Sequence, residues 1–299
     1  MSRFIWLIRR EIWEHKAIWV APLIVLGCLL LAVLTGNVHL GPIGAMDAST
    51  ALGTLPPDKQ VKLLLVVYAG LALVVDMVMG IIAFFYALDS LYADRRDRSV
   101  LFWKSLPLSD AETVLSKFVV AAVVIPLVAM IGAVLAQLLV AGGGSAMLAM
   151  AGVSGGIMWQ PEALVGGGAV AVLWCITAMF WYAPVIAYLM LASAWAPKGP
   201  FLWAILPPVA VSVLELVLLR TTYVEGFFTD RLFGLYRLLG SEERAGADGA
   251  SDAIRLSEID LASSLGDFYS SPELWLGLVA AGLLLAATMW VRRYRDETT

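Results

Sequence analysis

FVVAAVVIPLVAMIGAVLAQLLVAGGGSAMLAMAGVSGGIMWQP, residues 118–161, runs for 44 residues without one charged side chain. About 20 apolar residues in a helix cross the roughly 30 Å of bilayer hydrocarbon. This stretch therefore holds one complete membrane span and more. Gly142–Gly144 and Gly155–Gly156 interrupt it. Their spacing predicts a helix that ends near residue 140, then a small-residue loop dipping toward the membrane interface.

The rest of the chain has the same character. Of 299 residues, 61% are hydrophobic and 15% charged, and the mean hydropathy is +0.85. A soluble domain is nearer half apolar and a quarter charged, so a water-soluble protein is excluded. The expected class is an all-α membrane protein, one transmembrane domain over residues 1–299. Six segments are long and apolar enough to span, at about 17–38, 63–88, 113–140, 166–195, 201–219 and 274–291. The first is too long for a signal-peptide core and reads as a retained helix.

The formal net charge of −4 has a local origin. Residues 220–273 alone hold five arginines against ten Asp and Glu. The acidic balance thus describes one polar segment, and nothing in it points to nucleic acid. Cys28 and Cys175 lie inside apolar runs, with no CxxC pair and no disulfide framework.

Six spans put both termini on one side, and the positive-inside rule makes that side cytoplasmic. Arg3, Arg9, Arg10, Lys16, Arg95, Arg96, Arg98, Lys104, Lys117, Lys198, Arg292, Arg293 and Arg295 then share it. The opposite side keeps Lys59, Lys62 and the five arginines of 220–273. The expected site of such a multi-pass chain is the plasma membrane, a bacterial inner membrane. Trp13, Trp19, Trp103, Trp159, Trp195, Trp203, Trp275 and Trp290 fall near the predicted borders, where an amphipathic ring is well placed. Trp174 and Trp181 stand one heptad apart inside the fourth span, as a helix-packing stripe or a substrate-stacking pair.

Residues 3–16, RFIWLIRREIWEHK, place Ile5, Ile8 and Ile12 on one helical face and Arg3, Arg10 and Glu14 on another. That is a basic amphipathic helix lying on the cytoplasmic leaflet, as a lipid anchor or as a docking element. Residues 89–117, DSLYADRRDRSVLFWKSLPLSDAETVLSK, are the most informative polar stretch. A charged alternation from Asp94 to Arg98 leads into an apolar patch, Val100, Leu101, Phe102 and Trp103, and a break at Leu106-Pro107. Ser109 and Glu112 then form a capping box that starts the third span. An apolar anchor rimmed by charge is what a short helix pressed against another protein requires.

The run Arg95-Arg96-Asp97-Arg98-Ser99-Val100-Leu101, through Ser105-Leu106-Pro107-Leu108-Ser109 to Leu115-Ser116-Lys117, resembles the first cytoplasmic loop of type-2 ABC transporter permeases. Arg98-Ser99 stands where that family usually has Gly-Thr, and Ser116 where it usually has Gly. The six-span layout and the amphipathic N-terminal helix fit the same family. The resemblance implies that 89–112 is a cytoplasmic coupling loop whose helix, between spans two and three, rests on an ATPase subunit. Arg95, Arg96, Arg98, Val100, Leu101, Phe102, Trp103, Leu106 and Pro107 would make that contact. It implies a second permease copy or a sister permease as the other partner in the bilayer. No GxxxxGK[ST] loop occurs, so ATP and its Mg²⁺ would be bound by the partner and no cofactor by this chain.

The segment 220–273 is too polar to cross and is expected on the outer face, with an interfacial or re-entrant helix over Phe227–Leu239 and a loop over 241–265 that is disordered or a lid. Asp76 and Glu215 are the acids deep inside spans. Each faces protein or water, since a mid-bilayer charge costs about 2.5–3.5 kcal/mol. They are hydrogen-bonded structural carboxyls, members of the translocation path, or a cation-coupling pair. Pro207-Pro208 is expected to kink the fifth span beside Glu215. The function expected is the permease subunit of an ATP-driven exporter, not itself an enzyme. An ion-coupled secondary transporter is the alternative, but the halves show no persuasive repeat. A membrane-embedded enzyme is the other, and HExxH and GxGD are both missing.

Overall fold

The computed structural model describes residues 3–35, 55–97, 109–150, 152–237, 266 and 268–295. These form helices, with no strand among them. In chain order they are α1 (Arg3–Glu14), α2 (Ala17–Leu34), α3 (Pro57–Arg96) and α4 (Asp110–Val119). A π-turn (Val120–Val124) joins α4 to α5 (Ile125–Met150), and a 3₁₀ turn (Gly155–Trp159) precedes α6 (Pro161–Trp181). Then come α7 (Ala183–Trp195), α8 (Pro200–Leu219), α9 (Tyr223–Arg237) and α10 (Pro272–Arg295). Six helical stretches are long and apolar enough to cross a membrane: α2, α3, the continuous α4–α5, α6, α8 and α10. The chain is an all-α, multi-pass membrane protein.

The helices depart from the expected spans in three places, each for a local reason. First, α3 has 40 residues, about 60 Å of helix, and carries its last turn to Arg96 inside the expected 89–112 loop. Second, the third span does not stop near 140 but runs through Gly142–Gly144 to Met150. Those glycines are contact points, not breaks. A methyl group on Gly143 would strike Val33 of α2, and one on Gly144 would lie 2.8 Å from Met158 Cε. Small residues let helices approach where no hydrophobic force drives them together. Third, the predicted 166–195 helix is two helices that meet at Tyr182. Pro184 sits in the first turn of α7, where it lacks an N–H and crowds the carbonyl four residues back.

Proline also explains the π-turn. Pro126 cannot accept a regular helix before it, and the Ile125 N–H bonds Val120 O, five residues back instead of four. By contrast, α8 continues through Pro207-Pro208 to Leu219.

The main core gathers buried residues of α3, α5, α7 and α10, among them Met79, Leu91, Ile125, Ala133, Met190 and Leu285. A second cluster joins Leu64, Tyr68, Val140, Leu148 and Met158, with the Tyr68 hydroxyl donating to Met158 O at 2.7 Å. In the third, Trp174 and Trp181 pack with Leu235, Phe268 and Leu274. The tryptophan stripe is thus helix packing. It holds α9 against the bundle: Trp181 Nε1 donates to Arg231 O at 3.0 Å, and the buried Arg231 guanidinium lies 4.2 Å over the Trp181 ring. That guanidinium also donates to the carbonyls of Trp181 and Glu273. The peripheral helices are α2, which buries only Ile18, Pro22 and Val33, and α8, which buries only Ala204 and Glu215.

Candidate functional site

Five ionisable side chains from four helices meet at the end of the bundle that carries α1 and the last turns of α10. Lys117 of α4 lies at the centre, with its Nζ 3.0 Å from Glu11 Oε1 and 3.5 Å from Asp94 Oδ1. Arg292 of α10 pairs with Asp94 Oδ2 at 3.3 Å through Nη1 and with Asp110 Oδ1 at 3.2 Å through Nε. The Tyr86 hydroxyl donates to the second oxygen of Glu11 at 3.0 Å. Side chains of Glu11, Lys117, Asp94 and Arg292 are 3%, 2%, 8% and 6% exposed, whereas Asp110 is 33% exposed.

Local sequence puts each group there. Glu11 follows Leu7 by four residues, and these two are the buried positions of α1. Asp94 follows Ala87 and Leu91 on the buried stripe of α3. Lys117 follows Thr113 and Val114 one turn later on α4. The capping box fixes the start of α4, with Ser109 Oγ accepting from the Glu112 N–H at 3.1 Å and Glu112 Oε2 accepting from the Ser109 N–H at 2.9 Å.

Three carboxyl groups face one lysine and one arginine, so with every group ionised the five sum to −1. His15 is the next neighbour, with Nδ1 3.9 Å from Glu11 Oε2 and its ring edge-on to Tyr86 at 4.7 Å. Taking such charges out of water costs several kcal/mol per ion, which only full pairing offsets. The cluster therefore specifies one arrangement of α1, α3, α4 and α10 more than it adds raw stability. It also spans the two stems of the 98–108 segment: Asp94 stands just before it, Asp110 just after, and one guanidinium holds both.

The residues singled out from sequence are distributed unevenly around this cluster. Arg95 turns inward, donating through Nη2 to the carbonyls of Ser193 at 2.6 Å and Ala196 at 2.8 Å, which caps the end of α7. Ser193 Oγ in turn accepts from the Leu91 and Tyr92 N–H groups at 3.2 and 3.0 Å. Arg96 points outward, half exposed, with Asp97 at 3.0 Å and Asp89 at 3.8 Å. Arg98, Val100, Leu101, Phe102, Trp103, Leu106 and Pro107 lie outside the described residues, as does the 241–265 loop.

Among the described residues no shared partner brings the two acids of the spans together. Glu215 sits at the α8–α9 turn: its Oε1 accepts from Thr221 Oγ1 at 2.7 Å and the Tyr223 N–H at 2.8 Å, and its Oε2 from the Val224 N–H at 2.8 Å. It thereby satisfies the first free amides of α9, which a helix start otherwise leaves orphaned. Asp76 is half-buried on α3.

Beside the ionic cluster a crevice of about 430 Å³ opens between the α1–α2 corner, α3 and the start of α8, lined mainly by Ile18, Ile82, Phe85, Leu88 and Phe201. Among the described residues no group of His, Cys, Asp and Glu is arranged to hold a metal ion.

Comparison with known proteins agrees with this architecture. Residues 63–160, about a third of the chain, match a family described as ABC-2 family transporter protein. No curated protein and no solved structure matches the chain. The matched stretch starts inside α3, crosses the charge cluster and ends at the 3₁₀ turn; together with the six helices long and apolar enough to cross a membrane, this similarity supports an ABC transporter membrane component of the type-2 permease kind.

Proposed function

We propose that this chain is the permease subunit of an ATP-driven exporter, and that the 98–108 segment is where a separate ATPase subunit engages it. The observation that carries this reading is the Arg292 bridge between Asp94 and Asp110. A load applied between those two residues pulls on one guanidinium, and through Asp94 and Lys117 on Glu11 of α1. Rigid elements joined by a hydrogen-bonded charge network are the kind of contiguous path that carries coupling. In this arrangement Val100, Leu101, Phe102 and Trp103 are the apolar anchor and Arg96 and Arg98 its charged rim, while Arg95 positions α3 on α7. ATP and Mg²⁺ belong to the partner. A second copy, or a sister permease, completes the pathway. The sparsely buried α2 and α8 leave apolar flanks for lipid or for that second subunit.

Both termini and the 98–108 segment face the cytoplasm in this reading, and 36–54, 151–160 and 238–265 face outward. A cysteine placed at position 97 in intact cells should resist a membrane-impermeant maleimide; labelling from outside overturns the orientation. The coupling itself is tested with Leu101→Ala plus Trp103→Ala. Central apolar anchors carry most of an interface's binding energy, about 2 kcal/mol or more for each large truncation. The pair should release the ATPase or abolish transport-linked hydrolysis while the helices insert normally. Retention of both association and transport-linked hydrolysis would refute the assignment.

A further inference from the structure

The outward face of α1 carries a second charged feature that the buried cluster does not use. Trp6, Arg9 and Trp13 follow one another at helical spacings of three and four, away from the buried Leu7 and Glu11. The Arg9 guanidinium lies 5.2 Å from the Trp6 ring centre and 4.7 Å from the Trp13 ring centre. Both indoles are open to the surroundings, at 54% and 66% exposure. No carboxylate pairs with Arg9 among the described residues. Its neighbour Arg10 is spent instead, held by both oxygens of Glu14 at 2.7 and 3.0 Å.

Stacking on an aromatic ring uses the faces of a guanidinium and leaves its N–H donors in plane, free for a two-pronged anion. The position selects the anion. Only His15 and Lys16 separate α1 from α2, which enters the membrane at Ala17, and the Ile18 N–H bonds His15 O at 3.1 Å, so the corner is tight. Exposed tryptophans at such a corner belong at the headgroup level. We infer that Trp6, Arg9 and Trp13 form a clamp for the phosphate of an anionic phospholipid in the leaflet that α2 enters. The guanidinium binds phosphate oxygens, the indoles hold it flat and pack on the upper acyl chain, and the exposed Lys16 adds a second positive charge. Lipid composition would then act on the same helix whose inner face joins the charge cluster through Glu11. The clamp itself does not depend on the ATPase reading.

The test uses the full-length chain in detergent, titrated with phosphatidylglycerol or with phosphatidylcholine of identical acyl chains and read by native mass spectrometry. The unmodified protein should retain more phosphatidylglycerol. One basic side chain near an anionic surface is worth about a fivefold preference, so Arg9→Gln should remove roughly that factor. Arg9→Lys, which keeps the charge and loses the fork, should fall between, and Arg10→Gln should leave the preference unchanged. Equal retention of the two lipids by the unmodified protein overturns the inference. So does an undiminished preference in Arg9→Gln, or an equal loss in Arg10→Gln, which would make the effect one of net charge. Loss of ATPase retention by Arg9→Gln with lipid preference intact would assign this face to a protein and also overturn it.

Discussion

Removing Arg292 gives the sharpest test of the buried cluster. Arg292→Met keeps the apolar stem of the side chain and deletes both of its ionic contacts. Asp94 then loses its partner at 3.3 Å but keeps Lys117 at 3.5 Å. Asp110 loses its partner at 3.2 Å but is a third exposed, so water replaces much of that contact. Orphaning a fully buried charge costs about 3–5 kcal/mol. Because Asp94 remains half-paired and Asp110 is wet, the expected loss falls at or below the lower end of that range, about 2–3 kcal/mol. Asp94→Asn alone should also destabilise, because it leaves two buried cations sharing one fewer carboxylate. The double mutant removes one charge of each sign. It should therefore be more stable than the sum of the single effects, with a coupling of about 1–3 kcal/mol. Reversible unfolding in mixed micelles with increasing SDS, followed by tryptophan fluorescence and circular dichroism, measures all four proteins. A double mutant that matches the sum of the singles within about 0.5 kcal/mol would refute the claim that these two groups act as one unit.

Three further outcomes follow from contacts elsewhere in the bundle. Gly167→Ala on α6 puts a methyl group 2.8 Å from Tyr68 Cβ, next to the main chain, and should cost about 1–3 kcal/mol of stability, whereas Gly168→Ala meets nothing within 4 Å and should be neutral; equal losses in the same unfolding assay would contradict the packing argument. Arg95→Gln cannot reach both carbonyls at the end of α7, so amide exchange at 194–196 should accelerate, and unchanged protection there would mean that the cap is dispensable. Glu215→Gln keeps an oxygen for Thr221 and Tyr223 but presents an amide donor to the Val224 N–H, so exchange at 223–226 should rise modestly in Gln and strongly in Glu215→Leu. Altered transport in Glu215→Gln with those amides still protected would instead favour a role in the translocation path.

The class of fold was legible because its cause is composition: a bilayer demands long apolar helices, and periodicity is not needed to find them. Helix ends were less legible. Gly142–Gly144 has the composition of a break, and only the arrival of Val33 from α2 and Met158 from the 3₁₀ turn turns it into a contact surface. Pro184 falls at the start of a new helix, a break that the apolar run alone did not announce, whereas α8 continues through Pro207-Pro208. Local chemistry sufficed where partners were local: the Ser109–Glu112 capping box is four residues wide and stands as its sequence implies.

The charge cluster was hidden for the opposite reason. Its closest ion pair joins residues 11 and 117, and its loop-spanning arginine lies 198 residues from Asp94 in hydrogen-bonded register. Counted along the chain, Asp94 belongs to a run of surface-like charges, Lys117 and Arg292 to the basic flanks of spans, and Glu11 to an amphipathic helix. The signal that distinguishes them is register: Glu11 falls four residues after Leu7, and Asp94 three after Leu91, on stripes that are otherwise apolar. An acid on the apolar stripe of a helix near a membrane border cannot be left unpaired. Two such acids together require cations from other helices at the same depth, and basic span ends supply them. The positive flanks that orient a membrane protein are therefore not all spent on the lipid surface here. Lys117 and Arg292 turn inward and join the helices, while Arg9 and Lys16 keep an outward face. A substitution at an outward cation should change lipid preference and leave unfolding unaltered, and one at an inward cation should do the reverse.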